Sequence, residues 1–239
     1  MDSGIDIRNV ACRTACAVAL CTFVGIGPAA ADEAGDANGQ HLHGEANQHM
    51  HRRSFDDLVE RFESPDRAEW QKPEAVIAAL GDLQDKTVAD IGAGTGYFAF
   101  PIAEKAEKVI AIDIDQRMLD HIRGRMEQGE AGSNIEPRLA APNDPHMKPG
   151  EADVVLIVNT YHHIDDRVDY LQHVSAGLKP SGRLAIVEFH KRELPVGPPP
   201  SMKLEPHDVR DELEKAGFDD ITVDADTLPY QYIVMARRK

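Results

Sequence analysis

An α/β fold is predicted, with a largely parallel sheet covered by helices on both faces. Three observations carry the prediction. From Lys86 onward, apolar and β-branched runs of strand length alternate with segments whose apolar residues return every three or four positions. The runs "TVADI", "VIAIDI" and "ADVVLIV" are apolar almost throughout, as strands buried on both faces are. The first run empties into "GAGTG", a glycine-rich turn, before the first helical pattern of the core begins.

Each element has its own signal. Phe55, Leu58, Val59 and Phe62 form one helical stripe, and Pro73 opens a second helix that carries Val76, Ile77 and Leu80. The stretch "SPDRAEWQKP" reads as the link between them, with Trp70 either the cap of a substrate pocket or the anchor of the link to the core. After the strand at "TVADI" come a helix in "YFAFPIAEKA", a strand in "KVIAIDI" and a helix in "QRMLDHIRGRM", whose Met118, Leu119, Ile122 and Met126 share a face. Next are a short strand in "NIEPRL", a buried strand in "ADVVLIVNT" and a helix in "DRVDYLQHVSAGL". Gly182 turns the chain into the strand "RLAIVEF", and "PVGPPP" is a stiff loop. The helix "HDVRDELEKAGF" points Val209, Leu213 and Ala216 inward. Two strands, "DITVDADTL" and "QYIVMARR", meet at Pro229 and close the chain. The domain spans 53–239, with a helical N-terminal extension at 53–82 and the core at 83–239.

Ahead of it lie two segments of other character. Arg8 and Arg13 precede the apolar run "ACAVALCTFVGIG", and Ala29 and Ala31 follow in small-residue spacing. This is the pattern of a signal peptide over residues 1–31, cut after Ala31. It predicts an exported protein, periplasmic or secreted, with no stable membrane span after processing and a membrane anchor if uncleaved. All three cysteines fall within it, so the processed chain has neither thiolate nucleophile nor cysteine metal site. Residues 32–52 are polar, rich in Gly and Asn, and read as a disordered linker that carries His41, His43, His49 and His51.

The formal net charge is −15, with Lys and Arg scattered among the acids. That balance argues against nucleic acid as a partner and for a small-molecule substrate. The glycine turn narrows the ligand. A dinucleotide fingerprint needs glycine at Tyr97, and a phosphate loop needs Gly-Lys-Ser/Thr, which is absent. Asp113 ends the next strand, where a carboxylate accepts hydrogen bonds from a ribose diol. The turn and Asp113 together suit a nucleoside with no phosphate requirement.

"VADIGAGTG", "VIAIDID", "ADVVLIVNTYHHI" and "LKPSGRLAIVEF", in that order, resemble the class I S-adenosylmethionine-dependent methyltransferases from about Asp82 to the C-terminus. The resemblance implies a Rossmann-like, doubly wound sheet of seven strands, order 3-2-1-4-5-7-6, with the last strand antiparallel. It implies S-adenosylmethionine as cofactor. Asp90 and the turn of Gly92, Ala93, Gly94 and Gly96 are expected around the methionine moiety, Asp113 on the ribose and Ile114 against the adenine. Ala141 falls where many relatives carry an acid facing the adenine amine, with Asn143 or Asp144 as its substitute. Asn159 is expected between cofactor and acceptor.

Methyl transfer needs alignment and exclusion of water, and a base only where the acceptor must lose a proton. Tyr161, His162 and His163, beyond the fourth strand, are the catalytic candidates, with Glu188, His190 and His207 behind them. The predicted function is therefore methyl transfer to a small-molecule acceptor. Two alternatives are a binding protein that keeps the fold without transfer and a metal-handling protein that uses the His-rich segment.

Overall fold

The computed structural model describes residues 54–130 and 133–239. The expected signal peptide and His-rich linker lie outside the described residues. Among the latter, no helix is long and apolar enough to cross a membrane.

The extension forms α1 (Phe55–Phe62), α2 (Arg67–Gln71) and α3 (Pro73–Ala79). Ser54 caps α1 by accepting from the Asp57 N–H at 3.1 Å, while Asp56 and Asp57 sit at the positive end of the helix. The link read at 64–73 contains one more helix than its sequence announces. Lys72 ends α2 in the left-handed region (φ 43°), and Pro73 starts α3 at once. Five residues are too few to show a helical period, which is why α2 was illegible. Trp70 does anchor this segment, its ring 5.6 Å from that of Phe189.

The core follows the expected alternation: β1 (Thr87–Ile91), α4 (Ala99–Ala103), β2 (Lys108–Asp113), α5 (Gln116–Glu127), β3 (Ile135–Leu139), β4 (Ala152–Val158), α6 (Arg167–Gly177), β5 (Leu178–Phe189), α7 (Pro206–Lys215), β6 (Phe218–Asp224) and β7 (Gln231–Arg238). The sheet order is β3-β2-β1-β4-β5-β7-β6, with β7 antiparallel to both of its neighbours. The expected order and the reversed last strand are both present. β5 starts earlier than Gly182, because Leu178 already pairs with Ala152 before the register shifts to Val154–Arg183. The "KPSG" stretch is thus an irregular part of the strand rather than a turn before it.

The strands read as apolar runs because each face is buried against helices. Val88, Val109, Val154 and Val187 point to the side covered by α3 and α4. Ala89, Ile110, Val155 and Ile186 point to the side that buries Leu171 of α6 and Leu213 of α7. Parallel registers bring Ile91 level with Ile112 on one side and Ile157 on the other. The turn after β1 therefore meets Asp113, at the end of β2, and the residues just beyond β4.

Candidate functional site

The glycine turn is built by backbone. Gly92, Gly94 and Gly96 have φ of 74°, 55° and 88°, a region that costs other residues strain. The N–H groups of Gly92 and Ala93 donate to the Ile112 carbonyl at 2.8 and 3.0 Å, so the turn is tied to β2. Gly94 N–H donates to Asp113 Oδ2 at 2.8 Å, and Asp115 N–H to Oδ1 at 2.9 Å. The carboxylate is held on both oxygens, each with a lone pair left for a ligand hydroxyl. Burial raises the Asp113 pKa, and those backbone donors oppose the shift. A methyl group at Gly92 would lie 2.1 Å from Thr160 Oγ1, and one at Gly94 3.4 Å from the Phe62 ring.

A cavity of about 160 Å³ opens beside this turn. Of the expected residues, Gly92, Gly94, Asp113, Ile114, Asn159 and His163 line it. Ala93 is buried in the core and contributes its backbone, and Gly96 packs on Phe100 and Ile122. Asp90 is buried behind the turn, where its Oδ2 has no hydrogen-bond partner. Burial, reinforced by Asp113 and opposed by Arg67, pushes it up to about 7. Asn143 is exposed and does not line the cavity. Ala141 and Asp144 close a tight turn by exchanging backbone hydrogen bonds at 3.0 and 3.2 Å, and Pro142 faces the cavity in place of Asn143. Leu58 and Phe62 of α1, Thr160 and Tyr170 also line it. Sequence reasoning missed these four as site residues; the apolar stripe of α1 was visible, but nothing in it says that it covers a ligand cavity.

Beyond β4 the chain is organised by side chains. Asn159 has φ 54° and belongs to a ring of three amides. Its Nδ2 donates to Gln71 Oε1 at 2.9 Å, Gln71 Nε2 donates to Gln231 Oε1 at 2.7 Å, and Gln231 Nε2 donates to Asn159 Oδ1 at 2.5 Å. Each amide gives one bond and takes one, and Gln71 and Gln231 are fully buried. The ring ties α2 and β7 to the cavity wall.

A 3₁₀ turn, Tyr161–His163, follows. His162 Nδ1 lies 2.9 and 3.0 Å from the two oxygens of fully buried Glu188, whose Oε1 also accepts the His162 N–H at 3.1 Å. With both Glu188 oxygens as acceptors, the hydrogen of this contact is placed on Nδ1. His163 stacks on His162 with ring centres 4.3 Å apart and is the histidine that reaches the cavity. Burial, with His162 adding to it, pulls its pKa down to about 3, so it is neutral at physiological pH. A neutral, low-pKa imidazole is a weak base, so His163 does not serve as a strong proton acceptor near neutral pH. Tyr161 is turned away from the cavity. Its hydroxyl donates to Glu212 at 2.7 Å, beside the Arg167–Glu212 ion pair, and burial drives its pKa up. His207 projects into solvent on α7. His190 sits against the Tyr232 ring, with centres 5.8 Å apart.

Residues 89–184 match a family model described as a methyltransferase domain. The demethylmenaquinone methyltransferase of Lactococcus lactis subsp. lactis is 30% identical over 124 residues, 49% of this chain and 47% of that protein. The tRNA 5-carboxymethoxyuridine methyltransferase of Escherichia coli is 26% identical over 157 residues, 61% of this chain and 59% of that one. The chain spans about half the length of the first of these relatives. A crystal structure of an S-adenosylmethionine-dependent methyltransferase from Aquifex aeolicus superposes with a TM-score of 0.71 at 24% identity, over 78% of this chain and all of that one. The fold is thus the Rossmann-like methyltransferase fold, and the match over 89–184 supports the class I S-adenosylmethionine-dependent family. The implied cofactor is S-adenosylmethionine. The residues present fit it: the unpartnered, buried Asp90 Oδ2 and the Asp113 carboxylate stand on the glycine turn as acceptors for a zwitterionic nucleoside.

Proposed function

We propose that this protein transfers a methyl group from S-adenosylmethionine to a small, largely apolar acceptor. The observation that carries the reading is the continuity of one cavity from Asp113 and the glycine turn to Asn159 and His163. S-adenosylmethionine, when bound, supplies a methyl group already activated on a sulfonium. Asp113 is assigned to the ribose diol, Ile114 to the adenine, and Asp90 with the turn of Gly92–Gly96 to the methionine arm. Asn159, fixed by its two amide partners, stands between cofactor and acceptor. Leu58 and Phe62 exclude water from that side.

His163 presents a neutral imidazole to the acceptor and orients it by hydrogen bonding. His162, held by Glu188, fixes the ring of His163 from behind. With His163 neutral and Tyr161 turned away from the cavity, the assignment favours an acceptor atom that is nucleophilic with little help, such as an electron-rich ring carbon or a thiolate. A screen of quinones, phenols, thiols, amines and bulk tRNA with methyl-labelled cofactor tests this. Label on a small apolar compound supports the reading; label on tRNA alone overturns the acceptor class.

The leader pattern adds that the chain is exported. Terminal sequencing of the protein from its own host is expected to begin at Asp32, and an intact N-terminus rejects processing. Turnover in the exported fraction separates an enzyme from a domain that only binds.

A further inference from the structure

We propose that α1 is a lid over the ligand cavity, held shut by a latch in which Glu63 seats against Arg125 and His121 of α5. The inference rests on the cofactor reading above and goes beyond it, since it concerns how a ligand enters and leaves.

The helix is docked on little. Leu58 is the one buried residue of α1, and Leu58 and Phe62 both line the ligand cavity. A helix this short does not hold itself together in water, so its place depends on what it packs against. The next helix is fastened differently: Gln71 of α2 donates to Gln231 of β7 at 2.7 Å, deep in the protein. Residues 63–66, between the two helices, are therefore the pivot, with the Arg67 Nη1 bond to the Phe62 carbonyl at 2.8 Å beside it.

The latch lies in a second cavity, of about 300 Å³, whose wall includes Glu63, His121, Arg125 and Glu130. Arg125 is its fixed part. Nε and Nη2 donate to Glu130 Oε2 at 2.8 and 2.6 Å, and Nη1 donates to the Thr95 carbonyl of the glycine turn at 2.9 Å. The guanidinium lies 4.0 Å from the centre of the Phe100 ring. None of these partners belongs to α1, so Arg125 keeps its place whether or not the helix is docked. Glu63 Oε1 accepts from Arg125 Nη1 at 3.1 Å and lies 3.1 Å from His121 Nε2. At the other end of α1, Phe55 meets the His121 ring edge-on, centres 6.0 Å apart, and the Arg117 guanidinium lies 5.6 Å from the Phe55 ring centre. The Glu63 and Arg125 side chains are 36% and 22% exposed, so solvent reaches the pair and salt weakens it. A partly solvated pair of this kind contributes little energy, which lets the lid open thermally.

Surface plasmon resonance of the full chain tests the proposal, with S-adenosylhomocysteine and with 5′-methylthioadenosine, the same nucleoside without the amino-acid arm. Glu63→Gln keeps the shape of the side chain and removes its charge. It is expected to raise the association and dissociation rates of both ligands together, by about 3- to 10-fold, so that affinity shifts by less than either rate. In the wild type, raising NaCl from about 0.05 to about 0.5 M is expected to do the same, and to add little in Glu63→Gln. Neither ligand carries net charge near neutral pH, so this salt effect is not one of steering. A rise in dissociation alone would make Glu63 a contact rather than a latch, and a change confined to S-adenosylhomocysteine would tie it to the amino-acid arm. Either result overturns the proposal, as do unchanged rates in a folded variant, and the cofactor reading then stands. If the wild type binds neither nucleoside, the cofactor reading falls and takes this one with it. Should Glu63→Gln lose its cooperative melt, the salt series on the wild type decides, and rates that ignore salt overturn the latch.

Discussion

The two halves of the cavity are held by different means. At the glycine turn, the ligand-facing shape is made by backbone: positive φ at three glycines, two N–H groups on the Ile112 carbonyl, and Asp113 pinned by Gly94 and Asp115. Beyond β4, the shape is made by side chains drawn from distant parts of the chain. Gln71 and Gln231 lie 160 positions apart and meet at Asn159, and Glu188 holds His162 across 26 positions. Local backbone fixes a common ligand in one way only, whereas long-range side-chain contacts can be exchanged to suit different acceptors. The cofactor half is therefore expected to be brittle and the acceptor half adjustable.

The sharpest way to break that contrast is Gly92→Val. Its Cβ would fall 2.1 Å from Thr160 Oγ1, at a φ that β-branched residues avoid. Strain and overpacking together are expected to cost roughly 2–5 kcal/mol of stability and to abolish S-adenosylhomocysteine binding. Denaturant melts and calorimetry check this. A stable, binding-competent variant would show that the turn is less constrained than its backbone implies.

Asp113→Ala is expected to weaken S-adenosylhomocysteine by about 1.5–3 kcal/mol, because a ligand-facing carboxylate and an anchor of the turn are lost together. Unchanged affinity in a folded variant removes Asp113 from the ribose.

The acceptor half is probed at its amide ring. Gln71→Leu leaves Asn159 Nδ2 and Gln231 Oε1 without partners in a buried place, and a stability loss of about 1–3 kcal/mol is expected. Turnover is expected to fall several-fold while cofactor affinity holds, since the ring touches the cavity only through Asn159. A fall in cofactor affinity equal to the fall in turnover would mean that the two halves are one rigid unit.

The same contrast explains what the sequence revealed. The places of Gly92, Gly94 and Asp113 on the cavity wall were legible because they depend on local spacing: a strand, a turn, and the end of the next strand. The strand order and the reversed β7 were expectations of the family resemblance that the four ordered motifs carry. Gln71, Gln231, Leu58 and Phe62 were illegible because their places on or behind the cavity wall arise only when α1, α2 and β7 meet in space. Tyr161 and His163 show the other limit. Adjacency in "TYHHI" put three titratable side chains together, but a 3₁₀ turn sends Tyr161 to Glu212, His162 to Glu188 and His163 to the cavity. Asn143 was misplaced by a two-bond turn that a single sequence does not announce.

The mildest probe uses pH on Asp90, a buried carboxyl behind the glycine turn whose charge changes near neutrality. Burial first, and then Asp113, raises its pKa to about 7 from an ordinary carboxylate value near 3.9. Between those values the folded protein holds a proton that the unfolded chain has released. Asp90 therefore makes the free protein less stable as pH rises from about 4 to about 7, with no further effect above that. Ligand binding has the opposite slope. If Asp90 receives the ammonium of the amino-acid arm, the ligand prefers the ionised form, and binding below pH 7 must release a proton. Affinity for S-adenosylhomocysteine is then expected to rise with pH toward 7, by at most about tenfold per unit, and to level off beyond it. Calorimetry at pH 6, 7 and 8 in buffers of differing ionisation heat measures both the slope and the proton released. Asp90→Asn is expected to flatten the slope and abolish the proton release, and 5′-methylthioadenosine is expected to show no slope in either protein. A slope that survives in Asp90→Asn would place the titrating group elsewhere and leave the buried, unpartnered Oδ2 of Asp90 as a structural feature of the turn alone.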